Sequence, residues 1–386
     1  MRKIIISTIL IFYSVVIFSQ QHDVKTDSIT YSEYLNGDWD NLIKDGKQAI
    51  RNDIDFKWLR QRLGYAWYVK ENYYKSMYQY EQSLKFDTED EISNLYLYYN
   101  GLNTGNAAYA RYYASRLPQA TKDYYKIKAF VPFNSIDFEG YNRNFVNYIL
   151  RSSPNYYRMG IQSLLGYRLS LYQMISTFNQ KIEYETIQLK QNEYYGLLTW
   201  TAAPKTYLSA GYHYINTGVT NETDTVNYPG NLFFGKVQQN FSHFDFSLST
   251  SYFSNSYSKV SQTGMEIGVT LPGKMYPYLK SSVYYINDNE TPRVIFQQNA
   301  GLFIIKNLWA EAQVTLGNEN NFTDANGIYF FNPYDPITFK TGLSLSAHLS
   351  KNWIVFLNYT YSEKEVTETL YKYNQHSITE GIIWKF

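Results

Sequence analysis

The chain closes with Glu380-Gly381-Ile382-Ile383-Trp384-Lys385-Phe386, and the interpretation of the fold starts from this stretch. Taken by twos from the last residue, Phe386 and Trp384 share one face of an extended strand, while Lys385 lies on the other. Such alternation predicts a strand with one apolar and one polar side. Seven residues also fit an ordinary edge strand, so the rest of the chain must decide.

A polar residue and a glycine before a final aromatic-x-aromatic resemble the assembly signal of bacterial outer-membrane β-barrels. A strand that closes a membrane barrel needs an unbroken ladder and a lipid-facing aromatic near the interface. The resemblance implies recognition by barrel-assembly machinery through Glu380, Gly381, Trp384 and Phe386. In this register Glu380 faces lipid, where a charge is unfavourable. We therefore expect a neighbouring strand to neutralise it or a bulge at Gly381 to displace it.

The overall composition gives no sign of a nucleic-acid partner. The 386 residues carry 35 Lys and Arg against 34 Asp and Glu, a formal net charge of +1. Aromatic residues make up 19% of the chain, including 42 Tyr, and such amphipathic rings suit membrane interfaces. The absence of cysteine excludes a disulfide framework, a thiolate metal site and a thiol nucleophile.

Residues 1–19 have the layout of a secretory signal peptide. Arg2 and Lys3 precede an apolar run from Ile4 to Phe18, and Ser19 is a small residue suited to cleavage. The run is short for a membrane span, and no other run in the sequence is longer. We expect an exported protein whose membrane segments, if present, are strands.

Residues 28–120 repeat with a period of 34 residues. The period is marked by Gly37-Asp38-Trp39, Glu71-Asn72-Tyr73 and Gly105-Asn106-Ala107. It is the period of tetratricopeptide helical repeats, and the first copy is expected to be little more than its second helix. We predict a periplasmic tetratricopeptide-like domain. Two roles stay open, namely a docking surface for a periplasmic protein or peptide and a spacer or plug.

Residues 126–386 alternate with period two instead. Runs of ten or more alternating residues exceed the usual soluble strand of about five or six and suit a tilted membrane strand of about 9–11. The clearest run places Phe339, Thr341, Leu343, Leu345, Ala347 and Leu349 opposite Lys340, Gly342, Ser344, Ser346 and His348. We predict a two-domain α+β protein, in which a short helical array precedes an antiparallel transmembrane β-barrel.

Alternating short and long connections set the number of strands. Short ones are predicted near 166–169, 202–205, 241–243, 272–275, 306–307 and 350–352, and longer ones near 143–155, 181–186, 217–229, 255–258, 287–292, 318–335 and 364–375. Short periplasmic turns and longer extracellular loops are typical of outer-membrane barrels. Counting back gives fourteen strands, beginning at about Asn134–Asn142, or twelve if that first segment stays outside.

Two segments resemble the YaiO family of outer-membrane barrel proteins. One is the hairpin Gly166-Tyr167-Arg168-Leu169-Ser170-Leu171-Tyr172, continuing to Asn179-Gln180, and the other runs from Ser377 to Phe386. Members from Bacteroidota-like Gram-negative bacteria often carry tetratricopeptide-like repeats before the barrel. The resemblance covers nearly the whole mature chain and implies outer-membrane location. It brings no catalytic or ligand residues.

The alternation places charges of both signs on the inward face, namely Glu266, Glu311, Lys340, His348, Asp245 and Lys236. Such residues either line a water-filled pore or pair with one another. Both interpretations stay open, and ion selectivity is not predicted.

We find no catalytic or metal-binding pattern. His213, His348 and His376 are scattered, and Ser377 points to the opposite strand face from His376. Five His without Cys do not predict a zinc site. The acidic and amide runs at 287–290 and 318–321 lack calcium-loop spacing. We predict no enzyme activity, cofactor or metal.

The leading hypothesis is a porin-like barrel in outer-membrane lipid, either a passive pore or an export barrel, whose periplasmic repeats dock a partner. The first alternative is a non-conducting, membrane-anchored scaffold for an envelope-assembly partner. The second is a lipid-modifying enzyme. Whether the repeats or a long loop such as 318–335 fold into the lumen is the observation that would separate an open barrel from a plugged one.

Overall fold

The computed structural model describes residues 24–146, 152–182, 187–221, 224–241, 243–271, 273, 275–332, 335–366 and 371–386. The chain divides into two compact units, one through Lys128 and one from Ala129 to Phe386. The predicted signal peptide lies outside the described residues. No helix in the described parts of the chain is long and apolar enough to cross a membrane.

The first unit is helical, and the successive helices between Trp39 and Arg116 pack against one another. Residues 24–35 form helix α1, so the expectation that the first repeat lacks its first helix is wrong. The remaining helices are α2 (Trp39–Arg51), α3 (Lys57–Val69), α4 (Tyr73–Ser83), α5 (Glu91–Asn103), α6 (Ala107–Arg116) and α7 (Gln119–Tyr124).

The period of 34 residues is a period of helix starts. Asp38, Asn72 and Asn106 are the N-caps of α2, α4 and α6, and each side chain accepts a hydrogen bond from a backbone N–H in the first turn. The residue before each cap has a positive φ, at Gly37, Glu71 and Gly105. The repeated triplets therefore encode a left-handed turn followed by a helix cap.

Small residues in the middle copy allow close helix packing. A Cβ on Gly64 would lie 2.7 Å from the ring of Tyr80, so α3 and α4 approach at this glycine. The Ser76 hydroxyl donates to the Gly64 carbonyl at 2.8 Å and accepts from Asn100 at 2.9 Å. This buried chain of hydrogen bonds joins α3, α4 and α5.

The second unit is a closed antiparallel barrel of fourteen strands, as predicted. The first strand, β1, contains the expected segment and pairs with the last strand, so the twelve-strand alternative is excluded. The wall strands are β1 (Val131–Val146), β2 (Asn155–Leu164), β3 (Leu169–Ile182), β4 (Ile187–Ala203), β5 (Thr206–Asn221), β6 (Asp224–Asn240), β7 (Phe244–Ser254), β8 (Lys259–Thr270), β9 (Tyr278–Asp288), β10 (Thr291–Ile305), β11 (Leu308–Leu316), β14 (Ile337–His348), β15 (Trp353–Glu365) and β16 (Lys372–Lys385).

Several connections predicted to be long are strand instead. β5 continues to Asn221 and β6 begins at Asp224, where a loop over 217–229 was expected. Val219 pairs with Val226 and Thr220 with Thr225 across this hairpin. These β-branched side chains favour strand, so the polar composition of 217–229 was not a reliable sign of a loop. The barrel end that carries residues 152–154, 317–332 and 335–336 is called the loop end below, and the opposite end the turn end.

Strand β16 closes the barrel without any irregularity. Its pairing with β1 and β15 is continuous through Gly381, so the expected bulge is wrong. Glu380 faces outward between Gly140 and Leu357, neither of which carries a charge. Within the described residues no ion pair reaches Glu380, so the expected neutralisation by a neighbouring strand is not met either.

The outer face of the barrel is covered with apolar and aromatic side chains. Trp384 stacks on Trp353 with 5.3 Å between ring centroids. Apolar side chains cover the rest of the outer face as well. Exposed outward residues include Phe138, Ile175, Trp200, Phe233, Leu248, Met265, Val283, Val314, Leu343, Leu357 and Ile378. This surface matches a hydrocarbon solvent rather than water.

Candidate functional site

The connection between β11 and β14 folds into the barrel. It contains β12 (Phe322–Asp324), a 3₁₀ turn (Ala325–Gly327) and β13 (Tyr329–Phe331). β12 and β13 form a separate two-stranded sheet that does not join the wall. Residues 317–332 are called the lumen hairpin below, because their contacts are with inward-facing wall residues.

Apolar contacts hold both strands of the lumen hairpin. Phe322 packs against Tyr284 at 5.1 Å and Phe330 against Phe253 at 4.2 Å between ring centroids. Both hairpin rings belong to one buried cluster with wall residues Ile215, Leu232, Phe234, Phe253, Val260, Tyr284, Ile286 and Ile295. This part of the lumen is packed like a protein core.

The tip of the hairpin is fixed by hydrogen bonds to β4, β5 and β6. The Tyr195 hydroxyl donates to the Asn326 carbonyl at 2.6 Å. His213 Nδ1 lies 2.9 Å from the Gly327 carbonyl, and Lys236 Nζ donates to Asn326 Oδ1 at 3.0 Å. The turn needs left-handed backbone at Asn326 (φ 61°) and Gly327 (φ 89°), which these residue types tolerate.

Buried charges fasten the hairpin on two other sides. The Tyr329 hydroxyl lies 2.8 Å from both carboxylate oxygens of Glu139, which also pairs with Arg158 at 2.7 Å. Asp137 is the second partner of Arg158, at 3.3 Å. On β14, Lys340 pairs with Glu319 of the hairpin at 2.6 Å. Buried pairs of this kind are sensitive to loss of one partner.

Strand β12 is bound by side chains of β7, β8 and β10. Gln262 exchanges two hydrogen bonds with the Thr323 backbone, at 2.8 and 3.0 Å. The Ser251 hydroxyl donates to the Thr323 hydroxyl at 3.0 Å. Arg293 donates to the Asn318 carbonyl at 3.1 Å. Together with the preceding contacts, the hairpin spans the lumen from β1 to β10 and back to β14.

The structure places the charged residues that were predicted to face inward. Lys236 and Glu266 form an ion pair at 2.7 Å. Glu311 accepts hydrogen bonds from Asn299 and Trp309. Lys340 binds Glu319, whereas His348 lies exposed at the turn end of β14. Asp245 faces Gly268, whose added Cβ would meet the carboxylate.

Sequence reasoning missed the inward cluster of Asp137, Glu139 and Arg158. The alternation of Asp137 and Glu139 with Ile136 and Phe138 is a sufficient signal for their facing. Arg158 lies directly opposite Glu139 on the neighbouring strand, so the register of the β1–β2 hairpin would have identified it as the partner. Tyr329 could not be assigned, because it is 190 residues from Glu139 and its position depends on how the loop folds.

The histidines considered for catalysis are far from forming a triad. His213 is buried between Glu193 (Nε2–Oε2 3.4 Å) and the hairpin. His376 faces outward, with Nδ1 2.7 Å from the Tyr359 hydroxyl, while Ser377 faces the lumen. Within the described ranges, no group of three or more His, Cys, Asp or Glu could hold a metal ion.

A closed antiparallel barrel with an apolar exterior and a charged interior is the architecture of a membrane-spanning β-barrel. No protein-family model matches the chain, and no curated protein matches it. The class therefore rests on the geometry of the barrel itself.

Solved structures with a similar arrangement of the barrel include three at 6–9% identity. The outer membrane protein Omp33 of Acinetobacter baumannii has a TM-score of 0.38 at 9% identity, covering 66% of this chain and 98% of its own. The CymD monoaromatic hydrocarbon channel has 0.38 at 8%, covering 66% and 89%. A Pseudomonas aeruginosa FadL homologue has 0.39 at 6%, covering 65% and 89%.

Proposed function

We propose that the protein is an outer-membrane barrel that admits small polar solutes when the lumen hairpin moves away from its contacts with the barrel wall. The helical unit then lies in the periplasm, and the loop end faces the cell exterior. The observation that carries the proposal is the hairpin itself, which crosses a charged lumen and is held there by side-chain contacts. Membership of the YaiO family is part of the same proposal, supported by the two segments that resemble that family.

The barrel wall does not depend on the hairpin. β11 pairs directly with β14 in continuous register from Leu308–Ala347 to Leu316–Phe339. The hairpin is an insertion between these two strands, so it can move without breaking the wall. The hairpin is suited to act as a gate, because ion pairs and hydrogen bonds hold it in place and the wall strands pair without it.

A disulfide between hairpin and wall tests the gate. The Ser251 and Thr323 hydroxyls are 3.0 Å apart, and the chain has no cysteine. Sulfurs at these positions can therefore reach bonding distance. For the Ser251→Cys/Thr323→Cys variant in planar bilayers, we expect no current steps when oxidised and clear steps after reduction.

The matched control is a disulfide within the wall. The Thr199 and Ser209 hydroxyls on β4 and β5 are also 3.0 Å apart and do not touch the hairpin. Thr199→Cys/Ser209→Cys should conduct equally in both redox states. Equal currents from the oxidised and reduced hairpin variant would contradict the gate.

A non-conducting scaffold is the second candidate, favoured by the apolar packing around Phe322 and Phe330. In this alternative the lumen stays plugged, and the helical unit docks an envelope-assembly partner. Absence of current from the reduced Ser251→Cys/Thr323→Cys variant, together with current from a folded deletion of residues 319–332, would support it. Loss of a crosslinked partner on deletion of the helical unit would identify that unit as the docking surface. Neither candidate assigns catalysis to the chain.

A further inference from the structure

An open cavity lies between the lumen hairpin and the wall at the loop end. Its volume is about 120 Å³, below the about 300–1,000 Å³ of sites that enclose a whole small molecule, so it can take part of a larger ligand. The hairpin contributes Tyr329, Phe330, Phe331 and Asn332, and most of the other lining residues come from wall strands β1 to β4 and β14 to β16. This cavity is called the vestibule below.

Aromatic rings form much of the vestibule surface. Tyr141 of β1 and Tyr156 of β2 stack at 4.8 Å between ring centroids with planes 12° apart. Phe178 and Tyr373 line the same cavity. The face of an aromatic ring packs well against apolar C–H groups, such as those on one face of a sugar ring.

Amide side chains line the same cavity as these rings. Gln180, Gln191 and Gln375 all line the vestibule. Gln375 is 3% exposed, and its Nε2 has no hydrogen-bond partner among the described residues. A buried donor without a partner is unfavourable and rare. The vestibule therefore offers a donor that a ligand oxygen can satisfy.

The charges of the vestibule cancel. Arg143 and Lys364 are cationic, while Glu193 and Asp335 are anionic. A ligand with a strong charge of either sign gains little from such a lining, and a purely apolar ligand leaves the Gln375 amide unpaired. We propose that the vestibule binds one end of a neutral oligosaccharide, whose terminal sugar packs on the aromatic rings and accepts a hydrogen bond from Gln375. Only the passage of this ligand, not its binding, rests on the proposed function.

Isothermal titration of the full-length protein in a non-glycosidic detergent tests the site. The probes are maltohexaose, cellohexaose and chitohexaose, with trigalacturonate as the anionic probe and toluene as the apolar one. We expect at least one neutral oligosaccharide to bind. Gln375→Leu and Tyr141→Ala should each weaken that binding by roughly tenfold or more. The control Gln162→Leu changes an inward amide outside the vestibule and should bind as the unchanged protein does.

The proposal is overturned if no neutral oligosaccharide binds at millimolar concentration, or if trigalacturonate or toluene binds instead. It is also overturned if both vestibule variants, folded as judged by heat-dependent gel mobility, bind like the Gln162→Leu control. The outcome is separate from that of the gate. A barrel that conducts no current but binds the oligosaccharide contradicts only the proposed pore function. A barrel that conducts current but binds no oligosaccharide contradicts only the proposed vestibule site.

Discussion

The barrel wall and the lumen hairpin are built on different physical principles. The wall is held by a continuous backbone ladder through fourteen strands, and its side chains need only alternate. The hairpin forms an isolated two-stranded sheet and is held by particular side chains of distant strands. The wall is therefore robust to most single changes, whereas the hairpin is sensitive to the loss of individual partners.

The largest effect is expected at Gly381, where the wall has no space for a side chain. A Cβ on Gly381 would lie 2.2 Å from the ring of Phe356 and 2.5 Å from the Phe138 carbonyl oxygen. Overpacking costs typically about 1–3 kcal/mol, and more where backbone is the obstacle. Gly381→Val should prevent folding into lipid vesicles, measured as loss of the heat-modifiable gel band. Gly166→Ala, where nothing lies within 4 Å of the new Cβ, should fold normally.

An effect confined to the hairpin, and therefore smaller for folding of the barrel as a whole, is expected at the contact between wall and hairpin. Arg158→Leu leaves Asp137 and Glu139 buried without their cation, which costs about 3–5 kcal/mol. Because Glu139 also holds Tyr329, the hairpin should loosen while the wall persists. We expect an intact barrel band together with more frequent current steps. An Arg158→Leu barrel with currents unchanged would show that this cluster does not hold the gate.

The smallest effect is expected in the helical unit. Burial, and then the negative charge of Asp45, raise the pKa of Glu33 to about 7. Between the ordinary Glu value and about pH 7 the folded unit holds a proton that the unfolded chain releases. Its stability is therefore highest below this window and falls as pH rises through it.

Glu33→Gln should remove that pH dependence. Thermal melting followed by helical circular dichroism should show the variant more stable than the unchanged protein at pH 8 and similar at pH 4. Glu71→Gln, an exposed change, serves as the control. A melting difference that is independent of pH would contradict the role of Glu33.

The wall could be predicted from the sequence because it depends on a local period. Alternation at Phe339–Leu349 and in the closing stretch was enough to place Lys340, Trp384 and Lys385 on their faces, and the positions of the connections were enough to count the strands. The 34-residue period likewise corresponded to real helix caps at Asp38, Asn72 and Asn106.

The site could not be predicted because it depends on contacts distant in sequence. In the sequence Glu319 is part of the run at 318–321, to which no partner could be assigned, and only the infolded loop brings it to Lys340. Likewise, Gln375 is one inward amide among many until the hairpin encloses it. The Glu380 expectations failed for a related reason, since they required neighbours that strand pairing does not supply.

Single-channel recording of the Ser251→Cys/Thr323→Cys variant tests the central claim most directly. If the lumen hairpin is the gate, the oxidised barrel is silent and reduction opens it, while Thr199→Cys/Ser209→Cys conducts in both states. Identical currents before and after reduction of the hairpin variant would show that solutes pass without moving the hairpin and would contradict the claim.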